Sequence, residues 1–212
     1  MKSRHWNLIF AGSALFYLFS LHLRSYPLDF LFKAIPVMWL MLLVVRNADS
    51  NKYLLLSALA CSAAGDMLLA LPFAQSFILG LIAFLLVQLL YSVNFWRFGH
   101  WQAWKVAPLL IALGTAALFF WQLQPVLGDM LWPVVLYMLA LCTMVSSAII
   151  ASKGRPWLLV GAFSFLISDA LLAWGYFVEA APWQAFAVML SYYLAQFCLV
   201  NGALRITAQE SD

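Results

Sequence analysis

Charge is what this chain has least of. Only 9% of its 212 residues are Asp, Glu, Lys or Arg, and the formal net charge is +3. So few charges exclude an ordinary soluble domain, and so small a positive excess gives no case for binding nucleic acid. Histidine and cysteine, at three each, are nearly as scarce. Cys61, Cys142 and Cys198 share no ligand spacing, are odd in number and all fall in apolar runs. They read as small packing residues, and neither a disulfide framework, a metal centre nor a cofactor is expected. His5, His22 and His100 fall at the ends of runs or in loops, where interfacial solvation accounts for them. Long polar stretches are also missing, so residues 1–212 are expected to form one polytopic membrane domain.

What the chain has instead is apolar length: 66% hydrophobic residues and a mean hydropathy of +0.95. A membrane span needs about 20 apolar residues at about 1.5 Å each. Apolar runs and breakers predict an all-α membrane protein of eight transmembrane helices, over Trp6 to Leu23, Leu28 to Val45, Tyr53 to Leu71, Gln75 to Trp96, Trp104 to Trp121, Met130 to Ala151, Trp157 to Val178 and Trp183 to Leu204. Pro27, Pro72, Pro125, Pro156 and Pro182 stand at or beside run ends, where a missing backbone donor costs least. The first run follows Lys2 and Arg4 but lacks a clear small-x-small cleavage site, and is expected to be a retained helix.

Loop charges set an orientation. Lys2, Arg4, Arg46, Lys52, Arg97, Lys105, Lys153, Arg155 and Arg205 all fall on one side, and the opposite loops hold Arg24 with Asp29, Asp129 and Glu179. The positive-inside rule places both termini in the cytoplasm, and in a bacterium the membrane would be the plasma (inner) membrane. Trp6, Trp104, Trp132, Trp157 and Trp183 mark interfacial belts.

Two carboxylates break the apolar pattern. Asp66 and Asp169 each lie inside a run, where a charge costs roughly 2.5–3.5 kcal/mol on insertion scales, so each must be protonated, paired or facing a wet cavity. Asp66 follows Lys52 by 14 residues and Asp169 follows Arg155 by 14, which places the two at similar depth and hints at a parallel four-plus-four repeat. Lys33 enters the second run from its outer end, three residues before Pro36, and either snorkels or pairs with a carboxylate. Ser62 sits one turn before Asp66 in a run of small residues suited to close helix packing. Gln88 and Tyr91 share a face of the fourth run; Tyr137 lies in the sixth, and Tyr192, Tyr193, Gln196 and Asn201 mark the eighth. Each is able to bond a neighbouring helix and nothing more, or together they line a polar chamber.

These residues resemble the YhhN family, which includes the animal lysoplasmalogenases. The likeness rests on Lys33-x-x-Pro36, Ser62-Ala-Ala-Gly65-Asp66, Tyr91, Gly161-Ala-Phe-Ser164 with Ser168-Asp169-x-x-Leu172, and Tyr192-Tyr193-x-x-Gln196, in order over nearly the whole chain. Members often carry a histidine one turn before the tyrosine of the fourth helix. This chain has Gln88 there, which binds but does not titrate. The resemblance implies an intramembrane hydrolase that cleaves the vinyl ether bond of a lysoplasmalogen, a lysophospholipid, to a fatty aldehyde and glycerophosphoethanolamine or glycerophosphocholine. On that reading Asp66 and Asp169 divide the general acid and base work, with Lys33, Ser62, Gln88, Tyr91, Tyr137, Ser168, Tyr192, Tyr193 and Gln196 around the substrate. The competing expectation is a small lipid or solute transporter with the aspartates as proton sites.

Overall fold

The computed structural model describes residues 2–23, 29–47, 52–152 and 156–210. Arg24, Pro27, Lys153 and Arg155, used above for orientation, helix ends and the repeat, lie outside the described residues. Among those described there are eight α-helices and no strand: α1 (Lys2–Ser20), α2 (Asp29–Asn47), α3 (Lys52–Ala70), α4 (Ser76–Trp96), α5 (Val106–Leu123), α6 (Leu131–Ala151), α7 (Pro156–Phe177) and α8 (Gln184–Glu210). Each covers one of the eight apolar runs. An apolar environment offers the backbone no other partner, so a run of this length closes its hydrogen bonds within itself.

Six of the helices are long and apolar enough to cross a membrane, from α3 through α8. The other two carry more charge: α1 opens on Lys2, Arg4 and His5, and α2 holds Asp29, Lys33 and Arg46. The prolines act as stops, with Pro156 as the first residue of α7, Pro125 in a single 3-10 turn after α5, and Pro72 just beyond α3. Pro36 is different. It lies inside α2, buried, and the helix runs through it. Tyr193 of α8 donates its hydroxyl to the carbonyl of Lys33 (2.8 Å), close to the missing donor.

Consecutive helices pack as antiparallel neighbours, most extensively α3 on α4 and α7 on α8, except that α4 and α5 barely touch. α4 also lies along α6, and α8 along α2, so these two helices join the halves of the bundle. Glycine sets both tight seams. A Cβ on Gly65 would stand 2.8 Å from the ring of Phe84, and one on Gly161 would stand 2.8 Å from Leu199 Cγ and 3.0 Å from its backbone nitrogen. Such approaches leave no space for even a methyl group. α5 sits at the edge, chiefly against α6 and α7.

Three basic residues near helix ends fall into two settings. Arg46 lies over the Trp6 ring (4.8 Å) and Arg205 over Trp157 (4.3 Å), each cation against a ring face. Lys105, counted above among the loop charges, is fully buried, and its ammonium donates to the carbonyls of His100 and of Ile150 at the end of α6. A cation at a helix C-terminus meets carbonyls that have no helical donor, which is why burial there is tolerated.

Candidate active site

The two aspartates occupy two hydrogen-bonded networks. Asp66 of α3 is buried (1% exposed) and pairs through Oδ1 with Lys33 Nζ of α2 at 3.4 Å. Its Oδ2 accepts from the Tyr192 hydroxyl of α8 at 2.6 Å. Ser62 Oγ stands 2.6 Å from the same hydroxyl and accepts from Gln196 Nε2 at 2.7 Å, and Tyr91 of α4 donates to Gln196 Oε1 at 2.6 Å. Four helices thus close around one compensated charge. Lys33 is therefore a partner of a carboxylate rather than a snorkelling flank.

Among the described residues, Asp169 of α7 has no cation in its network. Its Oδ2 accepts from the Tyr137 hydroxyl of α6 at 2.6 Å and from Gln88 Nε2 of α4 at 3.4 Å; Gln88 Nε2 also reaches the Tyr137 oxygen at 3.4 Å. Gln88 is fully buried, and its Oε1 meets no donor among the described residues.

The networks mirror one another. Each aspartate takes one partner from the helix preceding its own, Lys33 on α2 or Tyr137 on α6, and one from the last helix of the opposite half, Tyr192 on α8 or Gln88 on α4. The offsets in sequence between Lys33 and Tyr137, Asp66 and Asp169, and Gln88 and Tyr192 are 104, 103 and 104 residues.

A cavity of about 410 Å³ opens beside the second network. Its walls are almost entirely apolar, among them Phe77 and Phe84 of α4, Ile111 and Leu123 of α5, Leu141 of α6 and Phe163 of α7. Of the expected site residues, Asp169 and Tyr137 border it, and Gln88, between Asp169 and the bundle interior, does not. Asp66 and Lys33 do not. Ser168, expected near the substrate, is buried with its hydroxyl on the Val188 carbonyl of α8 at 3.1 Å, so it ties α7 to α8. Ser62, Tyr91, Tyr192, Tyr193 and Gln196 likewise bond protein groups around Asp66 and Lys33 and lie outside the cavity lining. The polar groups form two separate sets, of which the Asp169 set borders the cavity and the Asp66 set does not.

Phe84 is a residue the sequence reading passed over. Its ring lines the cavity on one side and meets Tyr192 edge-on at 5.8 Å on the other, so it separates the cavity from the Asp66 network. The signal was present: Phe84, Gln88 and Tyr91 follow at i, i+4 and i+7 along one face of α4.

Among the described residues no group of His, Cys, Asp and Glu is arranged to hold a metal ion. The chemistry on hand is a carboxyl group with neutral donors at the edge of an apolar cavity, and an ion pair behind its wall.

Comparison with known proteins gives a consistent picture. Lysoplasmalogenase TMEM86B of Homo sapiens is 34% identical over 184 residues, which cover 86% of this chain and 78% of that protein. Lysoplasmalogenase TMEM86B of Rattus norvegicus is 33% identical over 82% of this chain and 72% of its own length. A lysoplasmalogenase of Mycobacterium bovis is 33% identical over 70% of this chain and 59% of its own length. No solved structure matches significantly. The YhhN family model matches residues 28–203, a stretch that holds both aspartate networks and the whole cavity, and the chain therefore belongs to the YhhN family.

Proposed function

We propose that this protein is a lysoplasmalogenase: it hydrolyses the vinyl ether bond of a lysoplasmalogen within the membrane, with Asp169 as the proton donor. The observation that carries this reading is the placement of the Asp169–Tyr137 pair on the wall of an otherwise apolar cavity. The names of the relatives favour hydrolysis over transport.

The roles follow from environment. Asp66 has its charge compensated by Lys33. Asp169 has neutral partners among the described residues, and a carboxyl at that depth avoids the cost of an uncompensated charge by holding a proton. The vinyl ether is protonated at its outer alkene carbon: the C=C π pair takes the Asp169 proton and leaves an oxocarbenium at the carbon bonded to oxygen. The Asp169 carboxylate so formed lies beside that cation and stabilises it. Water adds to the oxocarbenium carbon and gives a proton back to Asp169. The hemiacetal then collapses to fatty aldehyde and the glycerol alcohol. Asp66, with Lys33, Tyr192, Ser62, Gln196 and Tyr91, holds α3, α4 and α8 behind Phe84 and fixes that wall.

The bilayer setting belongs to the same reading. All eight helices cross a membrane, α1 and α2 included, both termini face the cytoplasm, and in a bacterial cell the membrane is the inner one. The basic flanks and the Arg46–Trp6 and Arg205–Trp157 pairs support this orientation. The mirrored networks support an internal duplication of four helices plus four. The partners are a lysophospholipid and the surrounding lipid.

The test is an aldehyde assay on purified protein in detergent with an alkenyl lysophospholipid. Asp169→Asn should lower the rate about a hundred- to ten-thousand-fold, the usual share of general acid–base catalysis, with the fold retained. Undiminished aldehyde release by Asp169→Asn would remove it as the donor.

A further inference from the structure

We propose that the hydrocarbon chain of the substrate enters the cavity sideways from the bilayer, through a gap between α5 and α7 rimmed by Ile111, Thr115 and Ile167. For the identity of the lipid this rests on the hydrolase reading above; the opening itself stands on geometry.

The rim is defined by residues that border the cavity and also face outward. Ile111 is 57% exposed and Ile167 is 53% exposed, although both line the cavity. A side chain with both properties stands at an edge of the wall, not within it. Thr115, one turn beyond Ile111, is also exposed and lining, and its hydroxyl turns back onto the carbonyls of Ile111 (2.8 Å) and Ala112 (3.0 Å). The rim therefore presents hydrocarbon to a lipid tail and no unpaired donor.

One end and the inner side of the cavity are packed. Leu123, Leu127 and Val134 pack with Phe119 and Phe177 at one end of the cavity. On the inner side Phe84 rests against Gly65 and Tyr192. α5 is also the most weakly held of the six long apolar helices, with 17% of its apolar window buried against 33% or more for the others. Along α7 the lining runs from Phe163 to Phe177, about 21 Å at 1.5 Å per residue. Ile167 precedes Asp169 by two residues, about 3 Å of rise, so a chain that passes the rim arrives level with the carboxyl. A substrate whose tail is already dissolved in the bilayer then reaches Asp169 without bringing that tail through water, and the aldehyde leaves into lipid by the same way.

The experiment uses the full chain with Cys61, Cys142 and Cys198 replaced by alanine, reconstituted in phosphatidylcholine vesicles. Single variants Ile111→Cys, Ile167→Cys and, as a lipid-facing position outside the cavity lining, Leu110→Cys (65% exposed) are labelled with a membrane-soluble maleimide. The competitor is 1-O-hexadecyl lysophosphatidylcholine, whose saturated ether is not hydrolysed. At about five times its Kd it should slow labelling about sixfold at the two rim positions and leave Leu110→Cys almost unchanged. Equal slowing at all three positions, or no slowing at the rim, overturns the portal. Aldehyde release by the unmodified protein from the alkenyl lipid in the same vesicles is read separately. Protection at the rim without aldehyde keeps the portal and removes the hydrolase.

Discussion

The Lys33–Asp66 pair allows a quantitative test of how this bundle tolerates charge. The two side chains are 14% and 2% exposed, so this pair is not a surface contact worth a few tenths of a kcal/mol. Replacing Lys33 with methionine keeps the stem and removes the ammonium, and leaves Asp66 buried with the Tyr192 hydroxyl as its remaining described partner. Breaking a buried pair from one side costs about 3–5 kcal/mol, and we expect about 3 kcal/mol here. The reverse change, Asp66→Asn, should cost less, about 1–2 kcal/mol. Asparagine keeps an acceptor for Tyr192, and Lys33, the more exposed partner, is able to turn its head toward the interface. The double variant Lys33→Met with Asp66→Asn buries no unpaired charge, and should fall about 2–3 kcal/mol short of the sum of the single costs. The measurement is unfolding of purified protein in mixed micelles titrated with SDS, followed by tryptophan fluorescence. Single effects that add to within about 0.5 kcal/mol would refute the pairing, because groups without contact add that closely.

Two further outcomes follow from the seams and the site. Tyr137→Phe removes the 2.6 Å bond to Asp169 and should lower kcat about tenfold, or about 1.4 kcal/mol, with circular dichroism unchanged; an unaltered kcat would separate Tyr137 from the chemistry. Gly161→Ala drives a methyl group into Leu199 and should cost about 1–3 kcal/mol. Gly114→Ala, where a Cβ meets nothing within 4 Å, should be neutral or stabilising by about 0.5–1 kcal/mol through helix propensity. Both changes are read in the same SDS titration, and equal behaviour of the two variants would contradict the close approach of α7 and α8.

Much of the site was legible because burying charge is costly wherever it occurs. Asp66 and Asp169 were marked by their apolar surroundings alone, and Lys33 by its intrusion into a span. Which partners they take was not legible. Gln88 and Tyr91 share a face of α4, yet Gln88 bonds toward Asp169 and Tyr91 toward Gln196. Three residues are about 60° short of a full turn and about 4.5 Å apart along the axis, enough to aim two long side chains at different neighbours. Lys105 is a related case: in the sequence it is one of the loop charges, while the carbonyl of Ile150 that receives it lies 45 residues away.

The sequence by itself determined the eight helices, their order and the two carboxylates that need explaining. Apolar length and proline stops are local, and in a medium without water the backbone satisfies its hydrogen bonds within one segment. Only the tertiary structure decided that the aspartates stand in separate networks, that Phe84 divides them, and that Asp169 alone of the two meets the cavity. Those facts depend on side chains 81 to 126 residues apart, such as Gln88 with Asp169 and Asp66 with Tyr192, and no local preference specifies such meetings. They are set by the close seams at Gly65 and Gly161, which fix how far each helix is rotated against the next.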